Sequence, residues 1–100
     1  MAHAALTRTY ISVELEDGTT HEDLRILFKD VAAFMKAARI NKWNEDDAVV
    51  QQVFTAWHAG KRLGLWDCTY EQFRDEQLVD LDGARVKVTD DETEDPTPAS

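Results

Sequence analysis

The sequence predicts an α+β fold: an N-terminal β-hairpin packed on two or three helices, followed by a C-terminal strand or hairpin. Three observations carry that expectation. From Thr9 to Leu15 apolar and polar residues alternate, the period of a half-buried strand, and the run stops at Asp17-Gly18. Beyond Asp30 the apolar residues recur instead at helical spacing, in two stripes parted by Asn44. A second Asp-Gly, Asp82-Gly83, separates two short β-prone runs near the C-terminus.

In the first strand Ile11, Val13 and Leu15 share one face, and Tyr10, Ser12 and Glu14 share the other. Asp-Gly tolerates the positive φ of a type I′ turn, so a two-residue hairpin opposes Leu15 to Thr20, Val13 to Glu22, Ile11 to Leu24 and Thr9 to Ile26. His21 then reads as the cross-strand partner of Glu14. This register buries Leu24 and Ile26, but it also sets Glu22 on the apolar side near the tip. A helix starting near Glu22 is therefore the rival reading of that segment.

The first helix is expected to start at Asp30 as N-cap, to bury Val31, Phe34, Met35 and Ala38, to carry Lys36, Arg39 and Lys42 late, and to end about Asn41. Asn44 reads as the N-cap of the second, with Glu45, Asp46 and Asp47 in the first turn and Val49, Val50, Val53, Phe54 and Trp57 as its stripe. Lys61 and Arg62 close it, and Gly64 suits the left-handed position just past its end. Thr69 with Gln72 forms a capping box for a third, two-turn helix that places Tyr70 and Phe73 on one face. At Asp82-Gly83 a hairpin would set Asp80 against Arg85 and Val79 against Val86; the alternative is a single strand. From Thr89 the acids, Thr, Pro and Ser without aromatics predict a disordered tail, giving one folded domain over 1–88 and an acidic tail over 89–100.

One hundred residues suit one domain, and 43% hydrophobic residues with three Trp, four Phe and two Tyr can fill a single core. The lone cysteine, Cys68, leaves no internal disulfide; with no long apolar run and no cleavable leader, the expectation is a soluble intracellular protein. Net charge is −9, but all eleven bases and only fifteen of the twenty acids precede Asp90, so the body carries −4. An acidic body repels phosphate backbones and anionic lipid, which argues against nucleic-acid and membrane partners and for a protein partner.

Chemistry-bearing patterns are sparse. His3, His21 and His58 lie on three different expected elements without zinc-ligand spacing, so no metal and no cofactor is expected. His58 reads as a polar-face residue beside Gln51, Thr55 and Arg62. Cys68 can be drawn with His58 and Asp67 as a nucleophilic set, yet no nucleophile signature surrounds it, and it reads as a small buried hydrophobe. The glycines at 18, 60, 64 and 83 are isolated and form no phosphate loop. Asp46-Asp47 and Asp75-Glu76 are explained by a helix dipole and an exposed helix, and Arg39, Lys42, Lys61 and Arg62 by helix C-termini. No catalytic residue is assigned. The aromatics weigh more: Trp43, Trp57, Trp66, Phe54, Tyr70 and Phe73 crowd one stretch, Trp57 core by periodicity, Trp43 and Trp66 placed to cover the core edge or to anchor an interface.

An opening strand ending Leu15-Glu16-Asp17-Gly18-Thr19, then Lys29-Asp30-Val31, Ala37-Ala38-Arg39 before Lys42-Trp43, Phe54-Thr55-Ala56-Trp57-His58-Ala59, Arg62-Leu63-Gly64-Leu65 and Tyr70-Glu71-Gln72-Phe73 follow in order. This succession resembles the small tail-assembly chaperones of long-tailed bacteriophages and prophages of actinobacteria, over Thr9 to about Val79. The resemblance implies a non-enzymatic role in the host cytoplasm: holding the long helical tape-measure protein soluble, helping tail-tube subunits polymerise around it, and leaving before the virion is finished. Some members are made in two lengths by frameshifting, and Thr89–Ser100 would suit the end of a short form. Apolar surface for such a partner is expected from Trp43, Leu65, Trp66, Tyr70 and Phe73, ringed by the surplus acids. The alternative is a small acidic inhibitor that imitates nucleic acid, which needs acids arrayed along one folded face rather than gathered in a tail.

Overall fold

In the computed structural model, residues 6–88 are described. His3 and the expected tail from Thr89 lie outside them. The elements are β1 (Leu6–Leu15), β2 (Thr20–Ile26), α1 (Phe28–Asn41), α2 (Ala48–Arg62), a short α3 (Tyr70–Gln72) that runs into a π-helical turn (Phe73–Gln77), and β3 (Leu78–Val88). The fold is α+β, with an N-terminal hairpin and a single C-terminal strand. The strands form one antiparallel sheet in the order β2-β1-β3. Ile11, Val13, Leu15, Leu24 and Ile26 project from one face into a core completed by Phe34 and Ala38 of α1, Val53, Phe54, Ala56 and Ala59 of α2, and Tyr70 and Phe73.

Hairpin pairing follows the expected register from Thr9↔Ile26 to Ile11↔Leu24, then slips by one, so that Val13 faces His21 and Glu14 faces Thr20. The tip is a three-residue loop, Glu16–Gly18, rather than a two-residue type I′ turn: Gly18, at φ 88, donates its N–H to the Leu15 carbonyl, and Leu15 N–H returns to Thr19 O. Asp23 takes up the slip in the left-handed region at φ 57, its N–H donating to Ser12 Oγ at 3.0 Å. This bulge corrects the one conflict in the expected register. Glu22 leaves the apolar side and is exposed, and His21 takes its place instead of facing Glu14. A left-handed Asp costs about 1–2 kcal/mol, less than an unpaired buried carboxylate.

No second hairpin forms. β3 passes straight through Asp82-Gly83 and pairs with β1 from Leu6↔Val88 to Leu15↔Leu78. The ladder along β1 outweighs a two-residue turn, because a hairpin would strand the hydrogen-bonding groups on that edge of β1. Gly83 serves close approach: a Cβ there would lie 3.1 Å from Gln52 Nε2 of α2.

Two helix starts also differ from expectation. α1 begins at Phe28 with Leu27 as N-cap, and Asp30 is its third residue, turned inward to accept the Leu27 N–H at 2.8 Å. α2 begins at Ala48, where the Asp47 carboxylate accepts from Val49 N (3.0 Å) and Val50 N (3.2 Å). Asn44 instead closes a preceding turn through Asp46 N, so Glu45 and Asp46 lie outside the helix. The buried stripes differ as well: α1 turns Asp30, Phe34 and Ala38 inward, and Met35 and Val49, expected in the stripes, are exposed. The Thr69–Gln72 capping box forms as expected, with both reciprocal bonds present.

Candidate protein-interaction surface

The α1 C-terminus positions the first indole. Lys42 sits at φ 60, in the left-handed region, and Trp43 N–H returns to Ala38 O at 2.8 Å, which folds the chain back over the helix end. Trp43 thereby packs against Phe54 and Tyr70, at ring separations of 6.1 and 5.3 Å. Trp57 and Trp66 are stitched by two hydrogen bonds: Trp57 Nε1 donates to Cys68 O (2.8 Å), and Trp66 Nε1 donates to Trp57 O (2.9 Å). The Trp66 ring occupies the space beside Gly60, stacks on Phe73 at 4.9 Å and takes the edge of His21. These bonds fix the whole 63–69 loop to the last turns of α2.

Of the five residues nominated for partner contact, the fold divides buried from exposed. Phe73 is fully buried and Tyr70 is 6% exposed, so both close the interior and present no surface; the Tyr70 phenol is pushed up by that burial, partly offset by Arg74. Trp43 and Trp66 are half-buried at the core edge. Leu65 is 40% exposed, beside Leu63 at 51%. Cations rim the aromatics, with Lys61 Nζ 5.1 Å from the Trp57 ring and Arg74 over Tyr70. Exposed apolar side chains that the sequence reading missed lie elsewhere, above all Phe28, 83% exposed at the first position of α1, together with Ile40 on the same helix. Reading Asp30 as an inward residue in line with Phe34 and Ala38, four and eight positions on, would have placed Phe28 on the outer face.

A buried charge cluster joins α1 to α2. Asp30 is fully buried; its Oδ1 meets His58 Nδ1 at 2.6 Å, and Arg62 donates through Nη2 to Oδ2 at 3.0 Å and through Nε to Oδ1 at 3.3 Å. Arg62 also reaches the Arg25 carbonyl at the end of β2. Burial pushes the Asp30 carboxyl up, but the hydrogen bonds from Arg62, Leu27 N–H and His58 outweigh it and hold the group below its ordinary value. His58 is thus turned to Asp30, which corrects its reading as a polar-face residue, and it is not joined to Asp67 and Cys68. Among the described residues, no three His, Cys, Asp or Glu side chains are gathered to hold a metal ion. No helix among them is long and apolar enough to cross a membrane. A half-polar groove of about 490 Å³ between the sheet and the start of α2, lined by Thr9, Ile26, Val31, Gln51 and Gln52, brings no titratable group to a convergent point.

Compared with known proteins, the chain matches no family model, no curated protein and no solved structure.

Proposed function

We propose that the chain is a non-catalytic tail-assembly chaperone of a long-tailed bacteriophage or prophage, binding the tape-measure protein and, as a second partner, tail-tube subunits, in the cytoplasm of the host. The ordered motifs from Thr9 to about Val79 support it. The observation that carries the reading is the Leu63–Trp66 corner: two exposed leucines on a loop held by two indole hydrogen bonds. A pre-set apolar edge of this kind binds an amphipathic helix with little ordering cost.

Co-expression with the tape-measure protein encoded in the same genome tests it. The expected result is soluble tape-measure protein that co-purifies, with both effects lost in Leu63→Ser/Leu65→Ser, a pair that leaves the core intact. Tape-measure protein that stays insoluble beside the wild type refutes the function; unchanged capture by the double variant refutes the corner. Trp66→Ala and Phe73→Ala are poor probes, because Phe73 fills the interior and Trp66 packs over it at the core edge. A gene position between those for tail-tube and tape-measure proteins, and absence of the chain from purified virions by mass spectrometry, are further expected outcomes.

One observation favours the acidic-inhibitor alternative. The uncovered face of the sheet gathers Glu14, Glu22, Asp80 and Asp82, all exposed. The basic outer face of α1 has no use in such a mimic, and competition with duplex DNA for a cationic DNA-binding enzyme separates the two readings.

A further inference from the structure

α1 leaves an unpartnered face. Phe28, Met35 and Ile40 are exposed on it, interleaved with the exposed bases Lys29, Lys36 and Arg39, and the only acid of the helix, Asp30, points inward. Phe28, Ala32, Met35 and Arg39 succeed one another at spacings of four, three and four, so they form one row along a helix about 21 Å long. Among the described residues none of the three bases is in an ion pair. Lys36 and Arg39, three apart, repel each other.

The complement of that face exists on the same molecule. The three-stranded sheet is covered by helices on one side only, and its other side carries an open depression of about 180 Å³ lined by Ser12, Glu14, Glu22, Asp80 and Asp82. Glu14 lies directly opposite Asp80 in the β1–β3 ladder, a like-charge cross-strand pair that is unfavourable when left open. The bases Lys29, Lys36 and Arg39 that flank Phe28, Met35 and Ile40 complement that acidic face in sign.

We propose that a second copy of this chain docks here, the basic-apolar face of α1 in one copy seating on the acidic outer sheet face of the next. The two surfaces lie on opposite sides of the sheet, so one two-fold axis cannot satisfy both. The contact is heterologous and repeats head to tail into an open chain or a ring. Other occupants fit less well. An anionic membrane would meet three bases set in a strongly acidic molecule, and α1 packed on α1 would oppose six bases without an acid.

Sedimentation velocity over a concentration series to roughly 1 mM, at about 0.1 M salt where the Debye length is about 10 Å, tests the contact. The expected result is a weight-average mass that rises continuously, with association weakened at least about tenfold by Lys29→Glu/Lys36→Glu/Arg39→Glu or by Glu14→Lys/Glu22→Lys/Asp80→Lys. Far-UV circular dichroism checks that each variant folds. Mixing the two charge-reversed variants should restore association, because each then offers the face the other lacks; this arm separates specific pairing from a general loss of solubility. A wild type that stays monomeric across the series overturns the proposal. So does a discrete dimer indifferent to both variants, failure of the mixture to associate, or binding of the wild type to anionic vesicles that the α1 variant loses while self-association persists.

Discussion

Gly60→Ala should be among the most damaging single-methyl changes in the molecule. A Cβ at residue 60 would lie 1.8 Å from Trp66 Cζ2, 2.2 Å from Cε2 and 2.4 Å from Cη2, inside the indole ring. The ring cannot yield by a few tenths of an ångström, because Trp57 O holds its nitrogen and Phe73 backs its face. Trp66 must therefore leave its seat, giving up a hydrogen bond of about 1 kcal/mol, an aromatic contact of about 0.5–1.5 kcal/mol and part of its burial. The loss approaches the 3–5 kcal/mol of a Trp→Ala truncation, while alanine recovers about 1 kcal/mol of helix propensity, leaving a net cost of roughly 2–4 kcal/mol. Urea unfolding followed by far-UV circular dichroism reads this as a lower midpoint at unchanged slope. In a Trp66→Ala background the same change should be neutral or stabilising by up to about 1 kcal/mol, since the methyl enters vacated space. Equal costs in the two backgrounds would refute the assignment to Trp66, and an unaffected single variant would refute the close approach itself.

Three further outcomes follow from local geometry. Asp30→Ala leaves His58 and Arg62 facing an empty site and the Leu27 N–H unmatched, and should cost about 3–5 kcal/mol in the same assay. The Asp30 carboxyl is held below its ordinary value of 3.8, so its contribution is complete above that value and is lost as pH falls through the lowered folded value. Wild type should therefore lose stability on acidification below about pH 4 more steeply than Asp30→Asn does, and parallel pH profiles would contradict the ion cluster. Lys42, a β-carbon residue at φ 60, should be improved by Lys42→Gly by about 1 kcal/mol, with Lys42→Ala near neutral, as read by thermal unfolding.

How far the sequence foretold the fold depended on whether the governing interaction was local. The strand period, the Thr69–Gln72 box and the left-handed Gly64 are set by neighbours within four residues, and all were legible. The half of the hairpin nearest α1 was legible too. The tip was not, because the register slip that frees Glu22 depends on Asp23 accepting a left-handed backbone and on Ser12 receiving its N–H across the sheet. Asp82-Gly83 carries a strong turn signal that β1, some seventy residues earlier, overrides by offering a full edge. Asp30 looked like a cap because its partners, His58 and Arg62, lie on another helix. Aromatic crowding was visible at once, but which rings close the interior depended on where the loop carries Trp66.

The Asp30 cluster raises a question of purpose that its strength alone does not answer. Replacing a buried ion pair with apolar groups of similar size is often neutral or stabilising, so the cluster is weak grounds for stability and stronger grounds for specificity. The buried face of α1 consists of Asp30, Phe34 and Ala38, so only one large apolar side chain keys it against α2, and such a face admits neighbouring registers at little cost. A carboxylate that must meet His58 and Arg62 one turn apart selects one register, and so fixes which residues of α1 point outward: Phe28, Met35 and Ile40 with their bases. Asp30→Leu/His58→Leu/Arg62→Met distinguishes the roles. If the cluster specifies register, this variant should match or exceed wild-type stability while its amide spectrum broadens or doubles at α1 positions. A variant that is markedly less stable yet gives one sharp set of peaks would show instead that the charges hold the helices together and that apolar packing alone, Phe34 on Phe54 above all, chooses the register.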